Sequence, residues 1–192
     1  MKKSALTITQ TAMMIAIIIL AQYLGSFIPT IPVPVIGIAL GQLVTGALVN
    51  LTLILSAYIV GLIPGMMVGL FSSILAQMLG ISKIPQMLPV IAIGNVLIVA
   101  VVWAFFKISK GNLKSIFTYL GIISGAGAKC AVMWILSKNI VIPSLTNIPE
   151  PQVKAMSLMF SWPQGVTALA GGILALLILP VVKKAIKKPS VI

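Results

Sequence analysis

One acid, Glu150, carries all the negative side-chain charge in this 192-residue chain, and there is no histidine. Arginine is missing as well: the thirteen basic residues are all lysines, and the formal net charge is +12. Cys130 is the only cysteine. Each shortage removes a class of function. A metal centre built from side chains needs several carboxylates, imidazoles or thiolates, and this chain cannot supply them. Proton relays through membranes run on Asp, Glu and His. General acid–base catalysis draws on the same residues, so an intramembrane enzyme is not expected. A lone cysteine forms no intramolecular disulfide. Without arginine the bidentate grip on base edges and phosphates is lost, so the positive charge does not read as a nucleic-acid surface.

What the chain does have is apolar length. It is 60% hydrophobic and 7% charged, with a mean hydropathy of +1.21. Soluble domains carry about a quarter charged residues. Runs of ~20 apolar residues suit the ~30 Å hydrocarbon core of a bilayer. The pattern predicts an all-α integral membrane protein, a single domain over residues 1–192. Its six transmembrane helices are expected at residues 6–28, 36–57, 64–79, 87–106, 115–136 and 163–182. Pro29, Pro32 and Pro34 force an extended loop after the first helix. A second long loop, 137–154, holds Glu150 and three prolines, and "VKAMSLMF" beyond it is compatible with a short interfacial helix. The N-terminal apolar stretch is longer than the 7–15 residues of a secretory signal and lacks an A-x-A exit, so a retained first helix is expected.

The lysines set orientation. Lys2, Lys3, Lys107, Lys110, Lys114, Lys183, Lys184, Lys187 and Lys188 fall on one side of the expected spans, and Lys83, Lys138 and Lys154 on the other. The positive-inside rule then predicts that both termini are cytoplasmic. The same lysines would attract anionic lipid. No pair of matched, interrupted helices marks an inverted-repeat transporter.

The thirteenth lysine, Lys129, lies inside the fifth span, within "SGAGAKCAVMW". A charge near the bilayer centre costs ~2.5–3.5 kcal/mol on insertion scales and usually faces a cavity or a partner. Snorkelling is disfavoured, because the side chain leans toward its helix N-terminus and therefore toward the more distant surface. The only acid sits in a loop, which leaves carbonyls, water or an external anion as partners. Met133 shares the face of Lys129. Asn95 on the fourth span, and Gln164 with Thr167 at i, i+3 on the sixth, lie at similar depth. Trp134 and Trp162 mark the outer ends of the fifth and sixth spans, either as an interfacial belt or as stacking rings for a ligand. These seven residues form the candidate small-molecule site, between the fourth to sixth spans and under the Pro-rich loops 29–35 and 139–151. Gln42, Asn50 and Gln77 read instead as interhelical hydrogen-bonding groups. The glycine pairs 37/41, 61/65, 65/69 and 121/125 read as sites of close helix packing. Ala12 and Ala16, one turn apart, form a smooth patch on the first span.

Together, "TAMMIA" on the first span, "GN" at 94–95, "GAGAKCAVMW" on the fifth and "FSWPQGVTALAGGILA" on the sixth carry a likeness. The chain resembles the substrate-binding S component of energy-coupling factor (ECF) vitamin transporters, closest to the group that includes riboflavin and pantothenate binders. The resemblance implies a bacterial plasma-membrane subunit that captures a vitamin or precursor from outside with high affinity. It also implies association with a membrane scaffold subunit and two cytoplasmic ATPases, with toppling of the whole subunit to deliver the substrate. Ala12 and Ala16 match the family's alanine-pair motif and would dock the scaffold. The chain has no G-x-x-x-x-G-K-[ST], so ATP would be used by the partners and no cofactor is expected on this chain. Riboflavin, pantothenate and a cobalamin-precursor nucleoside all remain open as substrates. The alternative is a stand-alone small-solute permease or channel working without ATPases. On the first reading, the counter-ion missing from Lys129 arrives with the substrate.

Overall fold

The computed structural model describes residues 2–29, 31–33, 38–82, 84–145 and 148–185. Within them the backbone is helical apart from connecting turns and one two-residue ladder. The helices are α1 (Lys2–Gly25), α2 (Leu40–Ile59), α3 (Leu62–Met78), α4 (Leu88–Ile108), α5 (Ile116–Leu136), the single turn α6 (Ile142–Ser144), α7 (Glu150–Met159) and α8 (Trp162–Ala185). Five helical stretches are long and apolar enough to cross a membrane, and α3, at 17 residues, is the shorter sixth apolar helix. In hydrocarbon a helix satisfies its own backbone groups, which is why apolar runs adopt this form.

Several boundaries differ from those expected. The first helix stops at Gly25, and residues 26–28 form a turn closed by bonds such as Ile28 N to Gly25 O. The second begins at Leu40, because β2 (Ile38–Ala39) pairs antiparallel with β1 (Pro32–Val33). Pro34, Ile36 and Gly37, named in the sequence reading, lie outside the described residues, as do Lys83, Lys187 and Lys188. Residues 137–144, expected as loop, continue α5: Ser137–Val141 are wound as π-helix and α6 follows. Pro143 sits in the first turn of α6, where a missing donor is tolerated, and the run ends at the extended Leu145. "VKAMSLMF" does belong to a helix, α7, which has Pro151 in its first turn. The last helix runs from Trp162 to Ala185 through Pro180.

The helices alternate in direction, and α4 packs on α3 and α5 while α2 packs on α8 and α1. Gly65 meets Val99, Gly69 meets Asn95, Gly121 meets Phe105 and Gly125 meets Val102. These small residues bring α3, α4 and α5 into close contact within one chain, as dispersion-driven packing in lipid requires. The main core joins Ile18, Leu53, Ile54, Val68, Ile98, Val102 and Leu179, with Tyr58 and Phe106 in edge-to-face contact at 5.2 Å. A second cluster fixes α7 against α4 and α5 through Met87, Val90, Met133, Val141, Met156 and Phe160. Large apolar side chains such as Ile8, Phe27, Ile63, Ile173, Leu177 and Val181 face outward. An outer surface this apolar suits lipid rather than water.

Candidate functional site

α1, α3 and α5 end, and α2, α4 and α8 begin, at the same end of the bundle, opposite Lys183 and the α4–α5 turn. That turn is tied to α8 by the Lys183 ammonium, which donates to the Gly111 carbonyl at 2.9 Å. At the first end the helices enclose a cavity of about 510 Å³. Volumes of this order hold small-molecule ligands. Its wall draws on α1, α2, α3, α4, α5 and α8, with Met159 and Phe160 from the end of α7.

Lys129 lines this cavity and is only 3% exposed. Its ammonium donates to Asn50 Oδ1 and to Asn95 Oδ1, each at 2.7 Å. Both amides are themselves buried, and both are held in orientation. Asn50 Nδ2 donates to the Gly46 carbonyl at 2.7 Å, and Asn95 Nδ2 donates to Ser73 Oγ at 3.1 Å. Ser73 Oγ in turn donates to the Gly69 carbonyl at 2.8 Å. Each amide therefore turns its oxygen to the ammonium and its NH₂ away. An ammonium has three N–H groups, and among the described residues two acceptors are found. Glu150 is no counter-ion: it pairs with Lys154 at 2.8 Å on the exposed face of α7. Lys129 is thus a buried cation solvated by two neutral amides at the wall of a cavity, with no carboxylate among its described neighbours.

Two close approaches make this geometry. A Cβ on Gly94 would lie 2.7 Å from Met133 Cγ and Sδ and 3.4 Å from Lys129 Cγ, so glycine on α4 leaves room for Met133 with the lysine stem beside it. A Cβ on Gly171 would lie 2.6 Å from the Ala47 carbonyl and 2.7 Å from Asn50 Cβ, so α8 touches α2 where Asn50 is carried.

Of the residues expected from sequence, Lys129, Asn95, Met133, Gln164 and Thr167 line this cavity. Gln164 Nε2 donates to the Met159 carbonyl at 3.0 Å, tying α8 to the end of α7. Thr167 Oγ1 donates to the Gln164 carbonyl at 3.1 Å, and its Cβ fills the space over Gly46. Trp134 and Trp162 are not brought to the cavity. They are 47% and 44% exposed, and Lys138 lies over the Trp134 ring at 5.2 Å. The cavity also leans further toward the first two helices than expected. Gln22, Ser26, Gln42, Thr45 and Asn50 belong to its lining, and sequence reasoning either missed them or gave Gln42 and Asn50 a purely structural role. A signal was present: Gln42, Thr45 and Asn50 stand at i, i+3 and i+8 in an otherwise apolar span, a polar stripe down one face of α2. Gln22 Oε1 and Gln42 Nε2 are buried and, among the described residues, without a hydrogen-bond partner. Ala12 and Ala16 are exposed on α1, beside Met13 and Ile17 and away from the buried Met14 and Ile18.

Comparison with curated proteins and with solved structures gives no match. The family model for the ECF transporter substrate-specific component matches residues 6–183. That match spans nearly the whole chain, which therefore belongs to this family of membrane-embedded, substrate-binding transporter subunits and is not an enzyme.

Proposed function

We propose that this chain is the high-affinity capture subunit for a vitamin or vitamin precursor in a bacterial ECF uptake system, and that the 510 Å³ cavity is its substrate site. One observation carries the reading: the buried Lys129 ammonium, held by two amide oxygens at a cavity wall and without an internal carboxylate. A buried cation left uncompensated is costly. An anionic or strongly accepting group on the substrate would complete its shell with a charge-assisted bond, stronger than a neutral one. Before substrate arrives, the two asparagines keep the ammonium solvated and fixed in place.

On this reading α3 also spans, giving six spans with both termini in the cytoplasm of a bacterial plasma membrane. The described lysines support that orientation: Lys107, Lys110, Lys114, Lys183 and Lys184 lie at the end of the bundle away from the cavity. The cavity then opens outward to receive the substrate. The exposed Ala12–Ala16 patch docks the scaffold subunit, and ATP is hydrolysed by the two partner ATPases. Binding to the purified chain is the test. Lys129→Met removes one charge-assisted hydrogen bond, worth about 1.5–3 kcal/mol, and should weaken substrate binding by roughly 10- to 150-fold. Unchanged affinity in titration calorimetry would remove Lys129 from the site. Uptake by liposomes holding this chain alone would favour the stand-alone permease.

A further inference from the structure

We infer that the ligand of this cavity is a monocarboxylate, extended rather than flat, with amide or hydroxyl groups along its body. The inference rests on the cavity being the substrate site and names the class of molecule it takes.

Charge comes first. Lys129 is the one cation among the described lining residues. Two of its N–H groups are committed to Asn50 and Asn95. One N–H of each neighbouring amide is committed too, to the Gly46 carbonyl and to Ser73 Oγ. The nearby Thr167 hydroxyl donates to the Gln164 carbonyl. The ammonium end of the cavity therefore offers one positive charge, one N–H of the ammonium and at most one N–H of each amide. A phosphate ester brings about −1.5 to −2 charge and three acceptor oxygens at neutral pH. Phosphate sites meet that demand with several backbone N–H groups or arginines; the uncapped first turn of α2 lines the other end of the cavity, eight or more residues from Asn50, and no arginine is present. A carboxylate brings one charge, which the single ammonium balances.

Shape comes second. Phe160 is the only aromatic residue among those lining the cavity, and none of the residues outside the described set is aromatic. A flat fused-ring ligand would find no second ring to close the stack, since Trp134 and Trp162 face outward. The polar groups are instead strung along the cavity. Gln42 precedes Asn50 by eight residues on α2, a rise of ~12 Å, so the free Gln42 amide stands well above the ammonium. Among the described residues Gln42 Nε2 is an unpaired donor and Gln22 Oε1 an unpaired acceptor. A buried polar atom left unpaired is costly. An amide or hydroxyl on the ligand body, ~10 Å from its carboxylate, would engage one or both.

The test uses the full chain, purified in detergent and freed of co-purified molecules by partial unfolding and refolding or exhaustive exchange. Thermal shift and calorimetry are run against three sets of probes: monocarboxylates (pantothenate, biotin, lipoate), phosphate esters (flavin mononucleotide, pyridoxal phosphate) and neutral fused-ring compounds (riboflavin, lumichrome). The expected result is saturable binding of a monocarboxylate that is lost when its carboxylate is replaced by a primary amide or alcohol. Lys129→Met should weaken that binding by roughly 10- to 150-fold. Gln42→Leu removes an Nε2 donor that has no partner among the described residues, and it should weaken binding by about three- to tenfold while thermal unfolding of the ligand-free protein stays close to wild type. If a phosphate ester or a fused-ring compound binds instead and Lys129→Met abolishes it, the monocarboxylate class is overturned while the cavity stands as the site. Failure of every carboxylate probe overturns the class as well. If a probe binds wild type, Lys129→Met and Gln42→Leu alike, the ligand sits elsewhere and the proposed function of the cavity falls with it.

Discussion

Replacing Asn95 by aspartate keeps the side-chain shape but sets a carboxylate oxygen where the amide oxygen now lies, 2.7 Å from the Lys129 ammonium. The position tolerates the change locally. Ser73, which now accepts from Asn95 Nδ2, carries a hydroxyl that can turn to donate to the new oxygen. Asn50 is less suitable, because its Nδ2 donates to a carbonyl that cannot become a donor. Asn95→Asp thus supplies internally the counter-ion that the substrate is proposed to bring. Two acceptors on one tetrahedral ammonium stand about 4 Å apart, and at an effective dielectric of about 20 two like charges at that distance repel by about 4 kcal/mol. That is on the order of three decades in Kd; partial protonation of the new carboxylate reduces it, so a loss of at least ~100-fold is expected. The assay is titration calorimetry of an anionic ligand against wild type and Asn95→Asp. Thermal unfolding of the ligand-free proteins serves as a control, and there the variant should match or exceed wild type. Equal affinity in the two proteins would refute the idea that the ligand anion and Asn95 share the Lys129 ammonium. A variant that both loses binding and unfolds earlier would assign the loss to damage rather than repulsion.

Gly171→Ala should destabilise the ligand-free protein by about 1–3 kcal/mol, the usual range for overpacking, because the new methyl would meet Ala47 and Asn50 on α2; denaturant or thermal unfolding in detergent reads this. Ligand affinity should fall with it, since Asn50 moves away from Lys129. Ala12→Leu with Ala16→Leu, both on the exposed side of α1, should leave ligand affinity within about twofold and abolish co-purification with the scaffold subunit. Retained co-purification would move docking to another face. Trp134→Ala and Trp162→Ala, outside the cavity, should each change ligand affinity by less than about twofold, which direct binding measurements can check.

How much of the site was legible beforehand varies with the residue. Lys129 was conspicuous because a lone charge in an apolar run is expensive wherever it points, and Asn95, Gln164 and Thr167 stood out as polar groups in spans at the same depth. Asn50 was given a structural role, and in one sense it has it: its hydrogen bond joins α2 to α5. That the same amide also walls a cavity depends on which helix lies beside α2, and sequence spacing carries no information about that. Trp134 and Trp162 invited two readings, because a ring at a helix end suits an interface and a ligand equally well.

Some features follow from the chain alone. Apolar length against the thickness of hydrocarbon made the fold helical, prolines and glycines set most of the breaks, and the lysine bias distinguished the two ends of the bundle. Helix continuation through 137–144 escaped that reading, because Pro143 and a polar start look like loop until the cluster of Val141 with Met87 and Met156 holds the turns in place. Tertiary structure alone decided that Asn50 and Asn95 would meet at one ammonium, that the cavity would open between α1, α2 and the later helices, and that both tryptophans would turn outward. The physical reason is range: helix formation and membrane partition are settled by neighbours a few residues apart, whereas a binding cavity is the space left between surfaces that come from distant parts of the chain.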